Sequence, residues 1–371
     1  MFKLPFSLIS SDRLSEIKEA EDRAQKKISQ LEAQRGLAET VLRSMTDGVL
    51  AVDEGGRVIL ANLAVESLFG VTEPEVLGKT VRMAIRNNEI ADLIEEVART
   101  SQTIEKEISI IVPIERTFIA LASPLRGGGG AVCVLHDITE LRKLERHRSE
   151  FAANISHELK TPLTAIRNYV ETLLSGGLED QQHNLEFLSK IEKHAVNLSS
   201  LIDDILELSS LESRREIGQF ARLELGTVIN HAVETVSAKA RKKNVSLEKK
   251  CESAYSITGL EDHILRAILN LLDNAINYTN EGGKVEISCQ KVDSKVTVTV
   301  SDSGIGIPKE HTSRIFERFY RVDKARSRDL GGTGLGLAIV KHVMNLHNGT
   351  VEVESKVGRG STFILRFPAV E

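Results

Sequence analysis

The stretch FAANISHELKTPLTAI, residues 151–166, has the apolar spacing of a helix and carries a proline inside it. At 100° per residue, four side chains fall within about 60° of one another and form a buried stripe: Ile155, Leu159, Pro162 and Ile166. His157 lies roughly 140–180° from that stripe, so it faces solvent. Because proline has no N–H, the carbonyl of Glu158 loses its partner, and we expect the helix to bend there.

An exposed imidazole beside a carboxylate and a weak point in a helix fits a nucleophile. Glu158 can accept the proton of one ring nitrogen of His157, which leaves the other nitrogen basic enough to attack. A lone exposed histidine is more often a plain surface residue, so this interpretation depends on the surrounding sequence.

Amphipathic helices extend on both sides of this stretch. A heptad pattern leads into it: Leu141, Leu144, Arg148, Phe151 and Ile155. Gly176 and Gly177 end the helix, and a second helix follows with its own stripe: Leu188, Ile191, Ala195, Leu198, Ile202 and Ile205. The two helices predict an antiparallel hairpin. Its apolar stripes would be buried if two hairpins paired into a four-helix bundle, which predicts a homodimer.

The N-terminal third predicts a coiled coil followed by an α/β domain. The coiled-coil spacing runs through Leu14, Ile17, Ala24, Ile28, Leu31, Ala38 and Leu42; one amphipathic helix packed on its own domain is the alternative. Strand-like runs follow, beginning with the hairpin GVLAVD–EGG–RVILAN. Together with Phe69-Gly70 and the closing Asp137-Ile138-Thr139, these residues resemble a PAS domain over about 39–139. The resemblance implies a sensor of unknown ligand; a dimerisation module without a ligand is the alternative.

Beyond about Arg214, helical and strand patterns alternate, which predicts an α+β sandwich with helices on one face of a mixed sheet. On the helix NLLDNAINYT, Asn270, Asn274 and Asn277 share a face. Amide oxygens suit a magnesium ion that phosphates already neutralise. Asp302 ends the strand VTVTVSD, where it can accept the exocyclic amine of adenine, and Gly304 and Gly306 permit close approach. A polar helix face and an ordinary turn are the alternatives.

Two further segments point to phosphate binding. FERFYR, with Phe316, Phe319 and Tyr320, precedes a basic run that suits a lid: Arg321, Lys324, Arg326 and Arg328. The string GGTGLGLAIV is glycine-rich and opens a helix, where backbone amides bind phosphate. A solvated loop is the alternative for the first segment. The chain has no Walker P-loop, and the glycine-rich string does not fit a Rossmann fingerprint.

These motifs, in this order, resemble those of the sensor histidine kinases. SHELKTPLT resembles their H-box, and the four later segments resemble the N, G1, F and G2 boxes of their Bergerat-type ATP-binding domain. The resemblance implies that His157 accepts the phosphoryl group, that Glu158 is its base, and that Thr161 positions water for a phosphatase reaction. The longer stretch EFAANISHELKTPLTAIRNYVETLL is most similar to the phosphate-regulon sensors.

The same resemblance implies the nucleotide contacts. Asn274 would hold Mg²⁺, Asn270 and Tyr278 would lie beside ATP, and Asp302 would contact adenine. The triphosphate would be held by the glycine-rich segment: Gly332, Thr333, Gly334, Leu335 and Gly336. Many relatives have Lys or His at the position of Asn277, so Arg321 or Lys324 would supply the missing charge.

Composition narrows the remaining possibilities. The 371 residues carry a net charge of −5, which does not favour nucleic acid. The three cysteines, Cys133, Cys251 and Cys289, form no C-x-x-C pattern, so we expect neither a zinc site nor a disulfide framework. So few cysteines favour a reducing, cytoplasmic compartment. The N-terminal run MFKLPFSLIS is too short to cross a bilayer. Membrane attachment would therefore need an upstream segment.

The sequence thus predicts a multidomain α+β protein with four parts: a coiled coil (1–38), a PAS domain (39–140), a dimeric phosphotransfer hairpin (141–214) and a Bergerat-type ATP-binding domain (215–371). The predicted activity is autophosphorylation of His157, followed by transfer to an aspartate of a separate response regulator. Two alternatives remain: another Bergerat ATPase of the gyrase or chaperone type, and a scaffold that does not turn over ATP.

Overall fold

A computed structural model describes residues 11–110, 115–125, 127, 129–177, 183–213, 219–251, 255–292, 294–323 and 332–369. Contacts divide the chain into two units, Met1–Ser149 and Glu150–Glu371. Within the described residues, no helix combines the length and apolarity that crossing a bilayer requires.

The first unit begins with a long exposed helix, α1 (Ser11–Ser44). Two residues of its predicted seam are exposed: Ile28 and Leu31. A helix with an exposed apolar seam needs a partner to bury it, so the coiled coil stays a prediction.

An antiparallel five-stranded sheet follows, in the order β2-β1-β5-β4-β3. Its strands are β1 (Gly48–Val52), β2 (Val58–Ala61), β3 (Ile104–Ile110), β4 (Arg116–Pro124) and β5 (Ala131–Asp137). The predicted first hairpin is confirmed by the pairing of Leu50 with Ala61. Four helices lie between β2 and β3: α2 (Leu63–Phe69), α3 (Glu73–Val76), α4 (Val81–Ala84) and α5 (Asn88–Thr100). This is the PAS architecture that the sequence predicted.

Asn62 joins the incoming helix to the sheet of this unit. Its side-chain oxygen accepts hydrogen bonds from the amides of Val49 and Val65, and its amide group donates to the carbonyls of Leu42 and Asp47. The residue is buried, with all of these groups paired. The end of α1 is therefore held to β1 by one side chain.

The helical hairpin consists of α6 (Thr139–Thr172) and α7 (Asn184–Ser213). Helix α6 continues through Pro162 and ends in a π turn, Leu173–Gly177, in which Gly176 has a φ of 114°. The ring of Tyr169 on α6 contacts Phe187 on α7 at a centroid distance of 5.9 Å. The predicted pair of helices and its glycine-containing end are confirmed.

The C-terminal part of the second unit is the predicted α/β sandwich. Its main sheet runs β11-β12-β10-β9-β7, and only the β7–β9 pair within it is parallel among the described strands. These strands are β7 (Ser246–Cys251), β9 (Lys284–Val292), β10 (Lys295–Asp302), β11 (Thr350–Lys356) and β12 (Gly360–Pro368). A two-stranded sheet, β6 (Ala221–Glu224) with β8 (Ser256–Gly259), was not predicted.

Three helices cover this sheet: α8 (Leu225–Lys242), α9 (Glu261–Tyr278) and α10 (Gly336–Leu346). Their apolar faces share one core with alternate residues of β10: Val296, Val298 and Val300. Leu201, Leu208 and Leu211 of α7 belong to the same core, and Leu208 is completely buried. One face of the hairpin therefore packs on the ATPase-like domain.

The cysteine prediction was wrong in one respect. Cys251 and Cys289 are register partners on the parallel strands β7 and β9, and they form a disulfide with a Cα–Cα distance of 4.8 Å. The two lie 38 residues apart, so only pairing of the strands brings them together. Spacing in the sequence does not reveal such a pair. Cys133 is free and buried, and burial raises the pKa of its thiol to about 12.

Candidate functional site

The predicted nucleotide residues line one cavity of about 630 Å³, a volume typical of small-molecule sites. Eleven of them do so: Asn270, Asn274, Asn277, Tyr278, Asp302, Gly306, Arg321, Gly332, Thr333, Gly334 and Gly336. Gly304 and Leu335 contact lining residues instead: the Gly304 amide donates to Asp302, and the Leu335 amide donates to Thr333. Lys324, Arg326 and Arg328 lie outside the described residues.

Asp302 stands at the end of β10 with its carboxylate partly buried. Burial raises the pKa of this carboxyl, while hydrogen bonds from the backbone of Gly304 and Ser361 act in the opposite direction. The Gly304 amide is 2.8 Å from the Asp302 carboxylate. The carboxylate is thereby fixed at the cavity wall, where it can accept a hydrogen bond from an amino group such as that of adenine.

Asn270 and the glycine-rich segment approach each other closely. A Cβ atom at Gly336 would lie 2.9 Å from Oδ1 of Asn270, and Gly334 has a φ of 74°, which favours glycine. The side-chain nitrogen of Asn270 is buried without a hydrogen-bond partner. A buried donor without a partner is costly, and an anionic ligand in this cavity would satisfy it. The residues therefore fit a nucleotide.

A magnesium ion would depend on amide oxygens. Among the described side chains, no cluster of three or more His, Cys, Asp or Glu residues is placed to hold a metal ion. Asn274 lines the cavity, and its neutral amide oxygen suits an ion whose charge is balanced by phosphates.

His157 lines a second cavity of about 640 Å³. Its side chain is 69% exposed, as the helical position predicted, and its Nδ1 lies 3.8 Å from Oε1 of Glu158. The other carboxylate oxygen of Glu158 accepts a hydrogen bond of 3.2 Å from Arg321, whose side chain is only 9% exposed. Glu158 therefore stands between the histidine and a buried cation. Thr161, one turn further on, donates to the carbonyl of His157 at 3.1 Å.

Two residues line both cavities: Tyr320 and Arg321. They are the last two residues of the predicted segment FERFYR, in which the ring of Phe319 contacts the ring of Phe151 on α6 at 5.9 Å. Arg318 lies over the same ring, 4.9 Å from its centroid. The F-box-like segment thus connects the nucleotide cavity with the helix that carries His157.

Helix α7 contributes residues to the nucleotide cavity that the sequence did not predict. They recur at a spacing of three and four: Asn197, Ser200 and Asp204. Asp204 is 5% exposed and binds Arg266 and Thr333. The only feature of the sequence that could have indicated these residues is a row of polar and acidic side chains on one helix face. A solvent-exposed helix face shows the same pattern, so the feature does not identify a cavity.

Three family models match consecutive parts of the chain. "PAS fold" matches residues 36–138, "His Kinase A (phospho-acceptor) domain" matches 147–214, and "Histidine kinase-, DNA gyrase B-, and HSP90-like ATPase" matches 259–371. The chain therefore has the domain composition of the sensor histidine kinases, and its C-terminal domain belongs to a family of ATP-binding domains.

Several curated relatives bear the name WalK. The Staphylococcus epidermidis protein is 31% identical over 352 residues, and the Bacillus subtilis protein is 32% identical over 351 residues. These matches cover 93% and 92% of this chain but 57% and 56% of the relatives. The chain thus spans little more than half of their length. The resemblance of residues 150–174 to the phosphate-regulon sensors carries less weight than the similarity to the WalK proteins over more than 90% of this chain.

One solved structure matches most of the chain. It is the histidine kinase ThkA in complex with the response regulator protein TrrA, 25% identical, with a TM-score of 0.50. The match covers 89% of this chain and 98% of that one. The similarity therefore extends over the PAS, hairpin and ATPase parts together.

Proposed function

We propose that the chain is a two-component sensor histidine kinase that transfers the γ-phosphoryl group of ATP to His157. One observation carries the proposal: the cavity of His157 and the cavity of the predicted nucleotide residues share Tyr320 and Arg321. A donor site and an acceptor side chain in neighbouring cavities are what phosphoryl transfer by positioning requires.

The residues of the chain have the following proposed roles. Asp302 recognises the adenine amine, the α9 asparagines and Tyr278 line the nucleotide, and the glycine-rich segment binds its phosphates. Asn274 would hold Mg²⁺, which offsets charge on the phosphates when bound. Arg321 would stabilise the negative charge that develops between donor and acceptor.

In the transfer itself, one bond forms and one breaks. The Nε2 nitrogen of His157 bonds to the γ-phosphorus while the bond from that phosphorus to the bridging oxygen breaks, and ADP leaves. The proton on Nδ1 passes to Glu158, whose Oε1 is 3.8 Å away. A decrease of about 1 Å in that separation would create a hydrogen bond.

The proposal includes the partners. His157 would pass the phosphoryl group to an aspartate of a separate response regulator, in line with the kinase–regulator complex of the structural relative. Thr161 would position water when the regulator is dephosphorylated. A second copy of the chain would complete a four-helix bundle, and we infer that the described domains act in the cytoplasm, where ATP is available. The proposed domains are the coiled coil (1–38), the PAS domain (39–140), the phosphotransfer hairpin (141–214) and the ATP-binding domain (215–371).

Incubation of the purified chain with γ-labelled ATP and Mg²⁺ tests the activity. We expect acid-labile, alkali-stable label on the wild type and on His183→Ala, a control at another exposed hairpin histidine. His157→Ala should carry no label. ATP turnover without label on His157 would instead indicate a different Bergerat ATPase, and absence of turnover would indicate a scaffold.

A further inference from the structure

Asp204 is a buried carboxylate at the border between the apolar contact of α7 with the ATPase domain and the nucleotide cavity. Leu201, Leu208 and Leu211 of α7 surround it in sequence and lie in the core of the ATPase domain. Removing a carboxylate from water costs free energy unless ionic and hydrogen-bonding partners compensate. An apolar residue at this position would pack without the cost of desolvation, so we expect the charge of Asp204 to serve a function.

Both oxygens of this carboxylate have partners on the ATPase domain. Oδ1 accepts a hydrogen bond of 2.7 Å from Arg266 of α9, and Oδ2 accepts one of 2.8 Å from the hydroxyl of Thr333. Arg266 also faces Glu207 at 3.0 Å, one turn further along α7. One guanidinium thus serves two carboxylates, and burial raises the pKa of the Glu207 carboxyl.

Thr333 connects Asp204 with the phosphate-binding segment. Its hydroxyl donates to Asp204 and accepts from the amide of Leu335 at 3.2 Å, immediately before α10 begins. Asp204 also lines the same cavity as Gly332, Gly334 and Asn270. The Asp204 carboxylate is therefore linked through the Thr333 hydroxyl to the glycine-rich segment, whose backbone amides would donate hydrogen bonds to phosphate oxygens.

We propose that Asp204 is a specificity-determining residue that makes the docked arrangement of α7 and the ATPase domain favour nucleoside diphosphates over triphosphates. The inference rests on the proposed nucleotide site. The third phosphate adds negative charge at the end of the cavity where Asp204 is held, and like charges repel strongly where water is excluded. Binding a triphosphate then requires Thr333 to leave Asp204 and the α7 face to separate from the domain.

Nucleotide affinities of the full chain test this assignment. Calorimetry with Mg²⁺ would give dissociation constants for ADP and for the β,γ-imido analogue of ATP. Asp204→Asn keeps an acceptor for Thr333 but removes the charge, so we expect the affinity for the triphosphate analogue relative to ADP to rise about tenfold, or about 1.4 kcal/mol. Asp203→Asn, at the adjacent exposed residue, should leave the ratio unchanged.

Each other outcome has a definite meaning. An unchanged ratio in Asp204→Asn would overturn the assignment while leaving the kinase proposal intact. A lower ratio would also overturn it, because Asp204 would then assist the third phosphate. If no variant bound either nucleotide, the nucleotide site itself would be wrong and this assignment with it.

Hydrogen exchange of the wild type gives a second test that needs no variant. We expect the triphosphate analogue to increase amide exchange over residues 201–211 of α7, because that face would separate from the ATPase domain. ADP should leave this exchange unchanged or slow it. Equal protection by both nucleotides would contradict the proposal.

Discussion

Asp302 combines a proposed role in nucleotide binding with a cost in stability. Its carboxylate is partly buried, and burial raises its pKa above the ordinary value for an aspartate. This carboxyl therefore holds its proton more tightly in the folded state than in the unfolded chain. Its unfavourable contribution is therefore absent at low pH and develops as the pH rises through the folded-state pKa. The residue that would recognise adenine thus weakens the fold at neutral pH.

Asp302→Asn should separate these two effects. Asn does not titrate, so we expect the stability of the variant relative to the wild type to be greater at about pH 7 than at about pH 3, on either side of the ordinary aspartate pKa of about 4. Nucleotide affinity should fall roughly tenfold, because the oxygen that accepts the hydrogen bond from adenine is then neutral, and a hydrogen bond to a charged acceptor is the stronger one. Thermal unfolding of both proteins at the two pH values measures the first effect, and calorimetry with ADP measures the second.

The contrary outcome is equally clear for this residue. A stability difference that is independent of pH would mean that hydrogen bonds from Gly304 and Ser361 balance the effect of burial on the pKa of Asp302, and a difference that is greater at the lower pH would mean that they outweigh it. Other carboxylates titrate in both proteins, so their contribution cancels in the comparison.

Some residues of the candidate site could be predicted from the sequence, and others could not. Asn274, Asp302 and the glycines could be proposed from the sequence, because their residue types suit the chemistry and their order matches a family, and the structure places most of them around one cavity. Asp204 could not, because its partners Arg266 and Thr333 lie 62 and 129 residues away. The pairing of Arg321 with Glu158 was also not predicted, since Arg321 was expected to contact phosphate.

Elements with a clear period were predicted well, and short ones were not. The hairpin, the PAS strands and the long strands β9 and β10 follow from apolar spacing. The strands β6 and β8 have four residues each and pair with each other across intervening elements, so no local pattern marks them. Helix α7 has two different faces, and only the stripe for the bundle was recognised.

Helix α6 carries the clearest element-level prediction. Pro162 lies inside α6, where it removes the partner of the Glu158 carbonyl one turn before it. Pro162→Ala restores that donor and should stiffen the helix beside His157. We expect the ratio of autophosphorylation to regulator dephosphorylation to fall roughly fivefold, the factor for about 1 kcal/mol, if bending helps the ATPase domain to reach His157.

Two assays on the same preparation measure this ratio: the initial rate of labelling from ATP, and loss of label from a phosphorylated receiver domain. Leu163→Ala is a suitable control, because Leu163 is the exposed neighbour of the proline and its replacement restores no backbone donor. A ratio that is equal in Pro162→Ala and wild type would refute a role for the bend.

At the scale of the whole molecule, helix α7 has an exposed apolar face in addition to the face that packs on the ATPase domain. Leu188, Ile202 and Leu206 are exposed and lie within about 40° of one another around the helix. The face that packs on the ATPase domain, with Leu201 and Leu208, lies on the other side. Exposed apolar side chains in such a row indicate an association surface, which the predicted second copy would bury.

Ile202→Glu should therefore disrupt the proposed dimer. A charge placed in an apolar bundle core without a partner costs several kcal/mol, so the dimer dissociation constant should rise roughly 100-fold or more. Lys193→Glu, nine residues earlier and on the opposite face of the helix, serves as the control. Sedimentation velocity over a concentration series measures both. A wild type that stays monomeric, or an Ile202→Glu variant that still dimerises, would contradict the bundle.

The two outer strands of the ATPase sheet bear on a different property, resistance to aggregation. Glu352 and Glu354 are exposed on β11, and Lys249 and Lys250 are exposed on β7. Charged side chains along an open edge discourage a strand from another molecule from adding to it. The bond between Cys251 and Cys289 also prevents β7 from peeling away and uncovering β9. We therefore expect the ATPase sheets of neighbouring copies to stay separate when the protein is concentrated.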